Sequence, residues 1–156
     1  MAESGAIETY NDAAVRHFMS PLNTGPLSSV SGIGCATSDH LEDLIELSIR
    51  VDRTGTIDGV RCRTFGCVAA VACGSVFSEM LLGKDVAEAS ELTASDVLDE
   101  LGGLPLQRAC YAKLPIVALA AALQNHRERL AAPPTRRFRS FSHKRAPRLC
   151  AGWGLE

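Results

Sequence analysis

The clearest periodicity in the chain is the alternation from Leu44 to Asp52. Ile45, Leu47, Ile49 and Val51 fall on one face, and Glu46, Ser48, Arg50 and Asp52 on the other. A period of two predicts a half-buried strand. Arg53-Thr54-Gly55-Thr56 supplies a turn, and Ile57 to Phe65 the returning strand of a hairpin. At Gly66 the period changes, and Cys67 to Leu82 fits a buried helix stopped at Gly83. Upstream, Tyr10, Ala13, Ala14, Val15 and Phe18 recur at helical spacing within Thr9 to Met19, before Ser20-Pro21 ends the run. Asn23 to Ser31, rich in Ser, Gly and Pro, reads as loop or weak strand. Downstream, Val86 to Ser90 predicts a short helix. Thr93 or Ser95 caps another, which runs to about Leu101 and stops at Gly102-Gly103. Leu106 to Leu130 predicts a last helix rich in Ala and Leu, with a kink or break near Lys113 imposed by Pro115. Helix, antiparallel strands and then several helices make an α+β pattern: a small antiparallel sheet with helices packed on one face.

Composition adds the class. At 156 residues, 46% hydrophobic and 22% charged, the chain reads as one globular domain. No apolar run approaches the roughly 20 residues of a membrane span, so a membrane partner is not expected. Met1-Ala2-Glu3-Ser4 lacks the basic and apolar regions of a secretory signal, which points to a cytoplasmic location. The net charge of −2 hides an asymmetry: residues 133–156 carry +5 and residues 1–132 carry −7. The division expected is a flexible start (1–8), a folded domain (9–132) and a basic, disordered tail (133–156). The tail reads as a solvated extension, and nucleic acid is not an expected partner. With no phosphate loop, dinucleotide fingerprint or nucleophile elbow, an enzyme with its own turnover is not expected.

The chemistry lies in the cysteines: 35, 62, 67, 73, 110 and 150, with no CxxC pair. In a reducing compartment each is by default core filler. Cys67 differs, because it follows a strand and a glycine and opens a helix. Free N–H groups and the helix dipole favour a thiolate there, which a metal or a sulfur-transfer reaction requires. Cys110, after the turn Gly102-Gly103-Leu104-Pro105, stands near the start of the last helix. Cys73, six residues beyond Cys67, falls about 240° around the helix and reads as core. Cys62 reads as strand core and Cys150 as a loose thiol. His17, His40, His126 and His143 show no ligand spacing.

Around these cysteines stand Tyr10…Val15-Arg16-His17-Phe18…Pro21-Leu22-Asn23…Gly25, then Ile45-Glu46-Leu47-Ser48-Ile49-Arg50-Val51-Asp52. Thr64-Phe65-Gly66-Cys67-Val68-Ala69-Ala70-Val71-Ala72, Gly83-Lys84, and Leu104-Pro105 leading to Cys110 follow. In order and spacing, over residues 9–130, this resembles the IscU/NifU-type iron–sulfur cluster scaffold family. The absence of an insertion between Gly83 and Cys110 resembles its IscU branch rather than SufU. The resemblance implies a scaffold built on three cysteines, an aspartate and a histidine. The aspartate maps to Asp43, the second cysteine to Cys67 and the third to Cys110. The first cysteine falls on Leu41 and the histidine on Ala109, neither of which binds iron. Cys35, six residues before Leu41 and on the loop leading to the site, is the candidate substitute ligand, the alternative being a small residue on the first strand; Asp39 and His40 share that loop.

The implied function is a scaffold binding iron or a Fe–S cluster through Asp43, Cys67, Cys110 and Cys35, with zinc possible in the same site. The implied partners are a cysteine desulfurase, delivering persulfide sulfur to Cys110, and apo-acceptor proteins. The stretch Leu104-Pro105-Leu106-Gln107-Arg108 lacks the second proline and the lysine of the family's chaperone-recognition segment, so handover by the dedicated chaperone is not expected. Two alternatives stand beside the scaffold: a degenerate paralogue acting as a metal-free adaptor or regulator, and a persulfide sulfur carrier.

Overall fold

The computed structural model describes residues 10–38 and 43–132. The N-terminal segment, the four residues 39–42 and the basic tail lie outside them, and with them Asp39, His40, Leu41, His143 and Cys150. The elements are α1 (Asp12–Met19), β1 (Gly32–Thr37), β2 (Leu44–Val51), β3 (Ile57–Phe65), α2 (Val68–Leu81), α3 (Val86–Ser90) and α4 (Ala94–Leu101). A 3-10 segment (Leu106–Ala112) follows and leads into α5 (Lys113–Ala131). The architecture is α+β, as the sequence pattern predicts.

The three strands form one antiparallel sheet in the order β1-β2-β3. Register runs from Gly32 opposite Ile49 to Thr37 opposite Leu44, and Leu44 in turn faces Phe65. Ile45, Leu47 and Ile49 are fully buried, as their alternation requires. On that face α5 packs against β1 and β2, and α2 against β3. The strand β1 has no apolar alternation of its own. Its inward positions are Gly32, Gly34 and Ala36, and the inward face is buried at each. A Cβ on Gly32 would overlap the Ala122 carbonyl, and one on Gly34 the Ala118 carbonyl. The small residues let the α5 backbone lie directly on the strand, which is why a strand there leaves no hydrophobic stripe to read.

The last helical stretch breaks where Pro115 demands. The 3-10 segment ends at Ala112, and α5 begins at Lys113, which places Pro115 in its first turn, where its missing N–H costs no hydrogen bond. The helical run Leu106–Ala131 is long and apolar enough by length and composition to cross a membrane. In the fold it lies on the sheet and buries Ala118, Leu119, Ala122 and Leu123.

The remaining helices are fixed by their ends. Asp85 with Glu88, and Thr93 with Asp96, close capping boxes on α3 and α4. Asn11 caps α1 through the Ala14 N–H and also donates to the carbonyls of Leu101 (2.8 Å) and Gly103 (2.9 Å), pinning α1 to the end of α4. His17 Nδ1 bonds Ser75 Oγ at 2.8 Å, and burial lowers its pKa. It ties α1 to α2 as a structural residue.

Candidate functional site

The site gathers where β2 begins, β3 ends and α2 starts. Cys67 is the N-cap of α2 and makes no side-chain capping bond of its own. The acceptor comes instead from Asp43, whose Oδ1 takes the Cys67 backbone N–H at 2.6 Å. Asp43 precedes β2 and is only 1% exposed. Its Oδ2 accepts from Ser38 Oγ at 3.1 Å, and its backbone exchanges hydrogen bonds with Ser38. Ser38 thus closes the end of the β1–β2 pairing and fixes the carboxylate. Gly66 makes the approach possible: at φ +150°, a Cβ there would overlap the Asp43 carboxylate. The Gly-Cys pair therefore has a local cause, because the strand must turn into the helix while passing over a buried acid.

The 3-10 segment packs against α2 and brings in Cys110 and its neighbours. The hydroxyl of Tyr111 lies beside both the Asp43 carboxylate and Cys67; burial first, then these two groups, push its pKa well up. Arg108 lies over the Tyr111 ring, 5.9 Å from its centroid, and faces Tyr10 and Cys67. The Tyr10 hydroxyl, from the start of the described chain, lies against the Ala69 backbone N–H in the first turn of α2. Cys67 and Cys110 are both partly exposed. Cys73 lies beneath them, fully buried, and feels both.

The sequence-derived residues divide on this geometry. Asp43 and Cys67 are joined directly, and Cys110 belongs to the same end of the molecule through Arg108 and Tyr111. Cys35 does not join them. It is not on a loop but in the middle of β1, on the exposed face of the strand, opposite Glu46, which pairs across the sheet with Arg63. Asp43 follows the opposite, helix-covered parity of β2. A one-residue step along a strand reverses the face, and this places Cys35 away from the other three. Cys62 and Cys73 are core, as read. Tyr10, Ser38, Arg108 and Tyr111 were not anticipated. Tyr111 had a signal, since it is adjacent to Cys110; Ser38 had none, because its role arises only from the β1–β2 pairing.

The donor set bears on what the site can hold. Among the described residues, no three His, Cys, Asp or Glu side chains converge to hold a metal ion. Both carboxylate oxygens of Asp43 are already engaged, so among the described residues the ligands this end most readily offers are the thiols of Cys67 and Cys110.

The buried thiols give a measurable contrast. Burial pushes Cys62 up to about 11 and Cys73 up to about 12, from 9.0. Alkylation near neutral pH should label Cys35, Cys67 and Cys110 and spare Cys62 and Cys73 until the protein unfolds, as peptide mapping would read. Both buried thiols hold their proton more tightly in the folded state. Their stabilising contribution is complete below the ordinary thiol pKa and is lost as pH rises toward the raised values. Denaturation midpoints should therefore fall as pH rises above about 9, and fall less in Cys73→Ser.

Comparison with known proteins places this arrangement. The family model described as "NifU-like N terminal domain" matches residues 9–132. An "Iron-sulfur cluster assembly scaffold protein IscU" of Aquifex aeolicus is 35% identical over 118 residues, covering 75% of each chain. One of Archaeoglobus fulgidus, IscU 1, is 34% identical over 117 residues, covering 75% of this chain and 76% of that one. In fold, the chain is similar to a putative iron–sulfur cluster assembly scaffold protein for the SUF system from Fervidobacterium islandicum. That match has a TM-score of 0.63 at 18% identity and covers 76% of this chain and 99% of that one. Sequence, fold and the Gly-Cys turn over a buried aspartate agree: the chain belongs to the NifU-like N-terminal domain family.

Proposed function

We propose that this protein is a scaffold for iron–sulfur cluster assembly. It receives iron and sulfur at Cys67 and Cys110, beside Asp43, and passes the product to apo-acceptor proteins. The observation that carries the reading is the 2.6 Å bond between Asp43 and the Cys67 backbone, at a helix N-terminus against which the Cys110 segment packs. The relatives' descriptions as cluster assembly scaffolds support it. Iron and sulfide are cargo here, not a resident cofactor, and the protein needs no turnover of its own.

Each residue has a task. Cys67 presents its thiol at the N-terminus of α2. Arg108 adds a positive charge facing that sulfur. Asp43 holds the backbone of Cys67 in place. Sulfur arrives as the persulfide of a cysteine desulfurase. The Cys110 thiolate attacks the outer sulfur, a new S–S bond forms on Cys110, and the donor cysteine leaves as thiolate, with no net oxidation. Zinc suits the same thiols, and the site of action is the cytoplasm.

The test is iron and acid-labile sulfide measured on protein purified anaerobically. Cys67→Ser and Cys110→Ser should each lose both, while Cys73→Ser keeps them; full iron and sulfide in both site variants would overturn the reading. A second reading, a metal-free adaptor using the family's protein-binding surfaces, is favoured by the engaged oxygens of Asp43 and the absence of a three-ligand group among the described residues. It predicts wild-type protein that stays free of iron and sulfide even after reconstitution.

A further inference from the structure

The strand β1 pairs with β2 on one side only, and its own sequence does nothing to guard the other. Its even positions hydrogen-bond toward β2, in step with Ser38, whose N–H donates to the Asp43 carbonyl. The odd positions turn their N–H and C=O groups to the open side. Ile33 shows it, because its N–H donates to the Asn125 side chain of α5 at 3.1 Å. Cys35 faces the same way, and among the described residues its N–H meets no acceptor. Open edges are ordinarily blocked by charged side chains, by proline or by a covering segment. Gly32-Ile33-Gly34-Cys35-Ala36-Thr37 carries no charge and no proline, and Asn125 covers the Ile33 N–H alone. Behind Asn125, at four-residue steps along the same helix face, stand Ala121, half-buried, and Val117, 45% exposed. An apolar stripe therefore runs beside the open edge.

The path of the chain says what covers it. Gly32 lies against Ala122 and His126, and Gly34 against Ala118 and Ala122, so α5 runs antiparallel to β1. In its last turns Arg129 donates to the Val30 carbonyl at 2.9 Å, just ahead of β1. The helix thus delivers the chain to the beginning of the open edge, and Pro133-Pro134 stops it there. Residues 133–156 follow, at +5 against a domain at −7. From Thr135 to Ala146 they hold no glycine, no proline and no acid.

We propose that the basic tail turns back along β1 as a fourth strand, parallel to it and bonded to its open edge. Parallel neighbours need a long crossover, usually a helix, and α5 supplies one. A helix-to-strand connection of roughly 2–6 residues brings Arg137 to Phe141 beside the Ile33 carbonyl and Cys35. Side chains then alternate. Phe138 turns to the α5 side and covers Ala121 and Val117. Arg137 and Arg139 turn to the outer face, where Glu46 stands opposite Cys35. The Cys35 thiol stays on that open face. The added strand closes the sheet against edge-to-edge association with other chains.

The experiment uses the full-length protein and hydrogen exchange read amide by amide by NMR. Cys35 and alternate amides between Arg137 and Phe141 should be protected. Exchange of Cys35 at the rate of an open chain would overturn the proposal. Phe138→Pro/Arg139→Pro removes two successive N–H groups, so one ladder bond is lost whichever of them faces β1. In that variant the Cys35 amide should exchange at least tenfold faster, with β2 amides and circular dichroism unchanged. Protection that survives the prolines would put another occupant on the edge, a second copy or residues 1–9, and overturn the proposal. Disulfide trapping with oxidised glutathione, in Cys150→Ser, reads the alternation. Arg137→Cys or Arg139→Cys should join Cys35 within one chain, and Phe138→Cys should not. Equal yields at all three positions, or a Cys35–Cys35 bond between chains, would overturn the proposal. None of these readouts involves iron or sulfide, so their failure leaves the scaffold reading standing.

Discussion

Gly34→Ala is expected to lower the stability of the fold by about 3 kcal/mol, at the upper end of what overpacking costs. The added methyl would overlap the Ala118 carbonyl and crowd the backbone of Ala121 and Ala122. These are main-chain atoms of a long helix, so no side-chain rotation relieves the overlap, and α5 must lift away from β1. A loss of that size corresponds to roughly 10 °C in melting temperature for a domain of this size. Ile33→Ala provides the control on the neighbouring residue, because its side chain is on the outer face and 38% exposed. It should cost under about 1 kcal/mol. Thermal unfolding followed by circular dichroism measures both. Equal melting temperatures for the two variants would mean that the helix-to-strand contact is not what sets stability.

Asp43→Ala is expected to cost about 3 kcal/mol and to remove iron uptake at the same time. The substitution strips the Cys67 backbone N–H and the Ser38 hydroxyl of their charged acceptor and leaves a void in a site that is 1% exposed. Hydrogen bonds to charged groups and unsatisfied buried donors are each worth roughly 1–3 kcal/mol. Asp43→Asn separates the two roles. It keeps one oxygen for the Cys67 N–H and fills the same space, so it should recover most of the stability, while its neutral amide leaves iron uptake impaired. Chemical denaturation and iron binding on the two variants supply the comparison. Full iron uptake in Asp43→Ala would show that the carboxylate acts on neither the metal nor the thiol that holds it.

What could be read from the sequence follows the physics of each element. The β2–β3 hairpin was legible because the buried positions of β2 alternate and a Gly turn follows it, and α2 because its apolar run ends at Gly83. The break before Lys113 followed from Pro115. The strand β1 was not legible. Its inward residues are glycines and alanine, chosen by the closeness of α5, and a close backbone contact leaves no hydrophobic periodicity. In the site this left Cys35 open between a ligand on a loop and a small residue on the first strand, and the second reading is the one that holds. Once β1 is a strand, residue parity settles which way Cys35 faces. Cys67 was legible from its place between a strand and a helix, but its company with Asp43 and Cys110 only through resemblance, since spacing alone cannot bring residues so far apart together. The engaged state of Asp43 was not legible at all, because Ser38 and Tyr111 reach it through strand pairing and helix packing.

The scatter of the site along the chain has its own consequence. Asp43 and Cys67 are 24 positions apart, and Cys110 arrives only with the segment that leads into the last helix. A chain still emerging from synthesis exposes its sulfurs one at a time, each a weak trap for metal. The pair exists only after the sheet has closed and α5 has settled on β1. Cargo that binds the finished arrangement and not its precursors shifts the folding equilibrium toward itself, by an amount that grows with its free concentration. Iron and sulfide would therefore protect this protein from unfolding and proteolysis increasingly as their supply rises, and the empty scaffold would be cleaved faster than the loaded one.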